Sequence, residues 1–316
     1  MKKITGAVYI IVFLLACLMV YETSAYYLMS QKTIVVGYLP SDHDSALFVA
    51  DAKGMFKKDG FNVEMVPFRS GTEMVLAADR GLIDVGYCGM APVLMGIDKG
   101  FAVKVVAPVN LEGSGVIVKN DTMDGVDDLE SKKVATPPSM SIQDILLIYL
   151  IHKNNYSTNS FCNTDVEVPL MDESLKSGSI DAFIAWEPYV SQSYMADDGS
   201  LLMYSSDIWQ NHPCCVVIAN QKFIDKNPQM LRKFLKVHSQ ATSYVQSHKN
   251  ETTIILSRKL GVNKSIESSS LNHVKFISVP DSEFKKNVNI LVEFMHSLGY
   301  LQNNLTDDEI FDFNYL

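Results

Sequence analysis

Residues 33–92 read TIVVGYLPSDHDSALFVADAKGMFKKDGFNVEMVPFRSGTEMVLAADRGLIDVGYCGMAP, and this stretch specifies the class of fold. The apolar run Thr33–Tyr38 predicts a buried strand, and the apolar side chains of Ser45–Lys58 recur on one face, which predicts a helix. Alternation over Phe61–Val66 predicts a second strand, and Ile83–Tyr87 predicts a third. Because strands that alternate with helices form βαβ units, the stretch predicts a parallel sheet.

The alternation resets after about residue 120 and resumes near the apolar strand predicted over Cys214–Ala219. Between these points, predicted strands at Lys133–Thr136 and Ile180–Ala185 flank an apolar helix, Ile142–Ile151. A chain of 316 residues is long enough for two lobes. We therefore predict an α/β protein with lobe I formed by residues 32–118 and 212–316, an inserted lobe II formed by residues 119–211, and a signal or membrane-anchor segment at residues 1–31.

The N-terminal segment allows three interpretations. Lys2-Lys3 precedes the uncharged run Ile4–Val20, whose length falls between a signal-peptide core and a full membrane span. A peptidase could cut after Ala25, Cys17 could be lipidated within a lipobox-like sequence, or the segment could remain as an uncleaved anchor. All three export residues 32–316, so we expect the protein outside the cytoplasmic membrane, attached to its outer face or periplasmic.

Composition and cysteine spacing exclude several classes of protein. The net charge is −9 and no basic block follows Lys3, so nucleic acid is not an expected partner. Beyond Cys17, the cysteines show no metal-binding spacing and are expected to be buried thiols; we predict no metal and no cofactor. Adjacent Cys214 and Cys215 should point to opposite faces of a strand, which argues against a bridge between them.

Several short motifs, in their order and spacing, carry a resemblance to a known family. They are Val36-Gly37-Tyr38, Phe68–Thr72, Gly81–Gly86 through Ala91-Pro92, Asp128-Leu129 to Lys133–Ala135, Gly178–Ala182 to Trp186–Tyr189, and His212–Val217. Together they resemble the solute-binding proteins of the aliphatic sulfonate, taurine, nitrate and thiamine-precursor importers, over nearly all of residues 32–300.

This resemblance implies the type II periplasmic binding-protein fold. Its two lobes are joined by two crossover segments and close on a ligand held in the cleft between them. We place the crossings near Gly115–Lys119 and Pro213–Ala219. The family implies the extracytoplasmic component of an ABC importer, a monomer without enzymatic activity, with a membrane permease and, through it, an ATPase as partners.

Three turns that precede helices are the candidate ligand contacts. Ser70, Gly71 and Thr72 follow a strand, Gly89, Met90 and Ala91 follow the next, and Ser139, Met140 and Ser141 occupy a corresponding turn of lobe II. Free backbone N–H groups and hydroxyls at helix starts suit the oxygens of a sulfonate, carboxylate or nitrate. Simple helix capping explains the same residues, and both roles can hold together.

Further candidates follow the ends of strands. Tyr38 and Trp186 could form walls of the cleft, whereas Glu187 could accept from a ligand amine or hold a neighbouring loop. His43 and Arg69 are the nearest positive charges.

The sequence therefore predicts capture of a small polar solute, with an anion such as a sulfonate, taurine or nitrate favoured. Aromatic side chains leave a pyrimidine thiamine precursor as an alternative solute. Enzymes on the same fold, such as thiamine-pyrimidine synthases or menaquinone-pathway lyases, are a second alternative. The synthases use a cysteine-rich motif, of which this chain has only the adjacent Cys214-Cys215.

Overall fold

Two β-sheets form the frame of the protein in its computed structural model, which describes residues 12–21, 33–119, 123–138, 140–157 and 160–316. The strands in chain order are β1 (Thr33–Tyr38), β2 (Asn62–Pro67), β3 (Val85–Gly89), β4 (Val103–Glu112), β5 (Ser114–Val118), β6 (Lys133–Thr136), β7 (Cys162–Asp165), β8 (Ala182–Trp186), β9 (Ser200–Tyr204), β10 (Pro213–Asn220) and β11 (Val274–Phe276). The first sheet has the order β11-β4-β10-β3-β1-β2, and the second has the order β7-β6-β8-β5-β9.

Helices cover both sheets. They are α1 (residues 12–21), α2 (Ser45–Ala52), α3 (Met55–Lys58), α4 (Gly71–Asp79), α5 (Met90–Asp98), α6 (Ile142–Lys153), α7 (Val168–Ser177), α8 (Tyr189–Met195), α9 (Ser205–Ile208), α10 (Gln221–Lys226), α11 (Pro228–Ser247), α12 (Lys249–Leu260), α13 (Lys264–Ser270), α14 (Ser282–Ser297) and α15 (Asp307–Ile310). Short 3₁₀ turns lie at Asp42–Asp44 and Val126–Leu129.

The chain passes from the first sheet to the second and then returns. β1 pairs in parallel with β2 and β3, as the βαβ pattern predicts, whereas β10 returns antiparallel between β3 and β4. Flanked on both sides, β10 is buried along its whole length. The predicted fold class, an α/β protein with one lobe inserted into the other, is confirmed.

The first crossing lies slightly earlier than predicted. β4 ends at Glu112, and β5 already pairs with β8 and β9 of the second sheet. Sheet membership thus places the crossing at Gly113 and not near Gly115–Lys119. With that shift, the division into lobes remains our proposal.

One predicted helix is interrupted. Ser45–Lys58 divides into α2 and α3 because Gly54 adopts a left-handed conformation, with φ of 61°. The apolar face is nevertheless continued across the break, and Phe48 and Phe56 are both buried. Periodicity identified the buried face correctly but could not locate the break.

The N-terminal interpretations fall largely outside the described residues, since residues 1–11 and 22–32 are not among them. Within α1, Cys17 is exposed. Among the parts of the chain that the structure describes, none of the helices has both the length and the apolar character needed to cross a membrane.

Candidate functional site

A cleft lies where the two sheets meet. Connecting turns of both sheets line it. The lining residues are Leu39, Ser41, His43, Asp44, Arg69, Ser70, Gly71, Thr72, Tyr87, Gly89, Pro92, Pro137, Pro138, Met140, Ser141, Ile142, Gln143, Trp186 and Cys215. Open α/β sheets hold ligands at this position, outside the carboxyl ends of their strands.

The start of α4 forms one wall. Ser70 is the N-cap residue, and its hydroxyl accepts from the Glu73 N–H at 3.2 Å. The predicted capping role is therefore present, and Ser70, Gly71 and Thr72 also line the cleft. The N–H groups of Gly71 and Thr72 belong to the first helical turn and have no acceptor within the helix.

The start of α5 contributes less than predicted. Gly89 is its N-cap residue and lines the cleft together with Pro92. Met90 and Ala91 are fully buried in the core of the first lobe and do not line the cleft.

The start of α6 forms the opposite wall. Ser141 caps this helix by accepting from the Asp144 N–H at 3.1 Å, and both Ser141 and Met140 line the cleft. Beside them, buried Gln143 donates to the Ser114 hydroxyl at 2.9 Å, which ties the turn to β5. Ser139 lies outside the described residues.

Trp186 and Glu187 occupy the end of β8 but face different surroundings. Trp186 lines the cleft, and its indole Nε1 is buried with no hydrogen-bond partner among the described residues. Glu187 is fully buried away from the cleft, where its carboxylate accepts from the N–H and hydroxyl of Ser191 at 2.9 and 2.8 Å. The side chain therefore holds the first turn of α8, which is a structural role away from the cleft.

Tyr38 does not line the cleft. Its ring packs edge-on against Phe48 with centroids 5.3 Å apart, and Lys259 lies over it. The three elements that were predicted to supply ligand contacts therefore do meet at one cleft, whereas Tyr38, Met90, Ala91 and Glu187 lie outside its lining.

The floor of the cleft contains a group of titratable side chains. His43 and Cys215 line it, and Cys214 lies directly behind them, so that the Nδ1 atom of His43 is 3.5 Å from the Cys214 sulfur and 3.3 Å from the Cys215 sulfur. These ligand-type atoms could hold a metal ion. The prediction of opposite faces for the two cysteines is wrong, because their sulfurs lie 3.7 Å apart.

Electrostatics favour a positive charge on His43. Burial acts against it, but the charge of Cys214 and its hydrogen bond, together with the Gly113 carbonyl, raise the pKa of His43 to about 9. Burial likewise opposes the Cys214 thiolate, yet the Cys215 hydrogen bond and the His43 charge lower its pKa well below the usual range. Burial raises the pKa of nearby Asp44 well above the usual range, which favours a neutral carboxyl.

The residues that sequence reasoning missed come mainly from turns. The 3₁₀ turn after β1 brings Ser41, His43 and Asp44 to the floor, although His43 had been recognised as a nearby charge. Pro137 and Pro138 precede the predicted lobe II turn and could have been included with it. Tyr87 was not missed: it is one of the aromatic side chains that suit a flat solute, and it lines the cleft.

Known proteins support this architecture. A protein of Bacillus subtilis (strain 168) named "Putative aliphatic sulfonates-binding protein" is 27% identical over 242 residues, which are 73% of this chain and 71% of that protein. A 4-amino-5-hydroxymethyl-2-methylpyrimidine phosphate synthase of Saccharomyces cerevisiae is 25% identical over 232 residues, which are 67% of this chain and 66% of the enzyme.

Among solved structures, the alkanesulfonate-binding protein SsuA from Xanthomonas axonopodis pv. citri, bound to MOPS, superposes with a TM-score of 0.79 at 16% identity. The match covers 89% of this chain and 98% of that protein, so the two share the periplasmic binding-protein fold. The predicted resemblance is confirmed, and relatives of this kind support a solute-binding role. Residues 29–257 match the model of the NMT1-like family, and the chain belongs to that family.

Proposed function

We propose that the protein is the extracytoplasmic solute-binding component of an ABC importer and that it binds a small amphipathic anion, with an alkanesulfonate the best match. The observation that carries this proposal is a single cleft into which helix starts from both sheets open beside an apolar wall. Closure of two lobes on such a ligand needs no chemical step, since binding energy alone shifts the open population to the closed one.

The chemistry of the cleft suits the two ends of such a solute. First-turn N–H groups of α4 and α6 favour an oxyanion, because the N-terminus of a helix carries a partial positive charge. Trp186 Nε1, which is buried with no hydrogen-bond partner among the described residues, adds a donor. Met140, Ile142 and neighbouring prolines offer apolar surface to an alkyl chain.

In this proposal the partners are a membrane permease and its ATPase, and the protein acts as a monomer. It would work outside the cytoplasmic membrane, either held there by its N-terminal segment or free in a periplasm. The B. subtilis relative named for aliphatic sulfonates supports the choice of solute.

A second candidate solute is a flat pyrimidine, which the aromatic side chains at the cleft favour. Tyr87 and Trp186 both line it, and the yeast relative is named for pyrimidine phosphate synthesis. That relative also makes a pyrimidine-forming enzyme the second candidate activity.

A thermal-melt screen distinguishes these candidates. At a hundredfold excess over its dissociation constant, the cognate solute should stabilise the folded protein by about 2.7 kcal/mol. Trp186→Leu should weaken this response, while Tyr194→Ala, which removes an exposed aromatic side chain outside the cleft, should leave it unchanged.

The panel contains alkanesulfonates, taurine, nitrate and a hydroxymethylpyrimidine. If only the pyrimidine shifts the melt, the anion proposal is overturned and solute binding stands. Conversion of the bound solute by purified protein, followed by mass spectrometry, would overturn the proposal of a binding protein.

A further inference from the structure

The floor of the cleft brings one nitrogen and two sulfur atoms into a compact triangle. The Nδ1 atom of His43 lies 3.5 and 3.3 Å from the sulfurs of Cys214 and Cys215, and the sulfurs lie 3.7 Å apart. All three side chains are buried, with exposed fractions of 3%, 0% and 6%. The function proposed above gives no role to these three side chains.

The triangle has the dimensions of a tetrahedral metal site. With metal–sulfur bonds of about 2.3 Å and metal–nitrogen bonds of about 2.05 Å, a regular tetrahedron separates its sulfurs by about 3.8 Å and places its nitrogen about 3.6 Å from each. The observed separations agree with these values within about 0.3 Å. Hydrogen bonds among the same three groups have these lengths as well, so the triangle is compatible with a thiol–imidazole cluster that exchanges its protons for a metal ion.

The orientation of His43 is fixed from behind, as in known metal sites. Its Nε2 donates to the Gly113 carbonyl at 2.8 Å, which leaves Nδ1 without a proton and directed toward the sulfurs when the ring is neutral. Gly113 has a φ of 90°, and a Cβ atom there would lie 2.5 Å from His43 Nε2. Glycine at this crossing therefore permits the contact that orients the imidazole.

A local irregularity of β10 explains why adjacent cysteines face the same way. The register with β4 shifts between Pro213 and Cys215 and again between Cys215 and Val216. Such a bulge re-aims a side chain that regular pleating would send to the opposite face. A disulfide between Cys214 and Cys215 is disfavoured, because adjacent Cα atoms are about 3.8 Å apart and disulfides usually span about 4.4 to 6.8 Å.

We propose that His43, Cys214 and Cys215 form a binding site for a thiophilic metal ion, with Zn²⁺ the best match, and that its fourth coordination position opens into the cleft. Two thiolates and one imidazole with an open fourth position are an established ligand set for zinc. His43 and Cys215 line the cleft, so the open position faces the space in which a solute would lie. The bound ion would accept a lone pair from water or from a donor atom of the solute.

Cobalt substitution tests the site in the full-length protein. Reduced protein titrated with Co²⁺ should saturate at one equivalent, and the spectrum should show a thiolate-to-cobalt charge-transfer band with the intense visible bands of tetrahedral Co²⁺. One equivalent of Zn²⁺ should then abolish these bands. Cys214→Ser and Cys215→Ser should each remove most of the charge-transfer intensity, whereas Cys88→Ala, which removes a buried thiol outside the cluster, should retain it.

Gly113→Ala should weaken metal binding about 10- to 100-fold by displacing the orienting contact of His43. Absence of a thiolate charge-transfer band in the wild-type protein would overturn the proposal whether or not the variants fold. An unchanged spectrum in the Cys214→Ser/Cys215→Ser double variant would also overturn it. Solute binding is measured separately on metal-free and zinc-loaded protein, so failure of the proposed transport function and failure of the metal site give different results.

Discussion

Replacement of Glu187 by glutamine should change how stability depends on pH. The carboxyl is fully buried, and both its oxygens accept from Ser191. Burial is the main cause that raises the pKa of Glu187 to about 8, and the nearby Asp42 charge adds to it, although the Ser191 bonds act in the opposite direction. A glutamine of nearly the same shape can accept from the Ser191 N–H and donate to its hydroxyl, so the variant should fold.

The sign follows from proton linkage. Between pH 4.5 and 8 the folded protein holds a proton on Glu187 that the unfolded chain releases, so the stability from this group is complete below pH 4.5 and is lost as pH rises to 8. The full loss is about 5 kcal/mol, since each pKa unit corresponds to about 1.4 kcal/mol. Roughly 3 kcal/mol of it should fall between pH 5 and pH 8.

Urea unfolding at pH 5, 6.5 and 8 measures the effect. The difference in free energy of unfolding, variant minus wild type, should be roughly 3 kcal/mol larger at pH 8 than at pH 5. Glu167→Gln is the matched control, because Glu167 is a half-exposed glutamate whose replacement should change the free energy of unfolding by less than about 1 kcal/mol. A stability difference between Glu187→Gln and wild type that stays constant across this range would refute the argument from burial.

Further predictions concern the core and the rim of the cleft. Burial lowers the pKa of His238 to about 4, so protonation of the unfolded chain should lower the free energy of unfolding of wild type by about 2 kcal/mol between pH 7 and pH 4.5. His238→Gln should not show this decrease, and unfolding measurements at the two pH values test the difference. Gly71→Ala should cost about 1–3 kcal/mol, because its Cβ would lie 2.7 Å from Pro92 Cγ, whereas Gly89→Ala, with its nearest neighbour at 3.7 Å, should melt like wild type. Equal melting temperatures for the two alanine variants would contradict this. Arg69→Gln should change the free energy of unfolding by less than about 1 kcal/mol, because the Arg69 side chain is 81% exposed and its ion pair spans 3.7 Å. The same variant should bind an anionic solute more weakly in calorimetry. Unchanged affinity would exclude Arg69 as a contact.

Local patterns were sufficient to predict the frame of the fold. The apolar run Thr33–Tyr38 and the alternation near Phe61–Val66 became β1 and β2, paired in parallel as the intervening helix requires. The helix starts near Ser70 and Ser141 were visible because a hydroxyl before an apolar helix is a local feature. Convergence of these two turns on one cleft followed from the position of helix starts at the carboxyl ends of strands.

Features that depend on long-range pairing were not predictable. Cys214 and Cys215 share a face only because β10 shifts register against β4, and no local pattern reports a bulge of that kind. The burial of Glu187 likewise depends on packing between the lobes: the Asp42 N–H donates to the Glu187 carbonyl at 3.2 Å from a distant part of the chain. Sequence reasoning could name Glu187 but could not decide which way it faces.

Isothermal titration calorimetry with a series of alkanesulfonates tests the central claim most directly. We predict saturable binding of one solute per chain at micromolar or tighter affinity. Trp186→Leu should weaken the affinity at least tenfold, and Tyr194→Ala should leave it unchanged. A tenfold increase in the dissociation constant corresponds to a loss of about 1.4 kcal/mol in binding free energy. Heats that match simple dilution for every anion in the series, or equal affinity in wild type and Trp186→Leu, would contradict the assignment of this cleft as the site of anion capture.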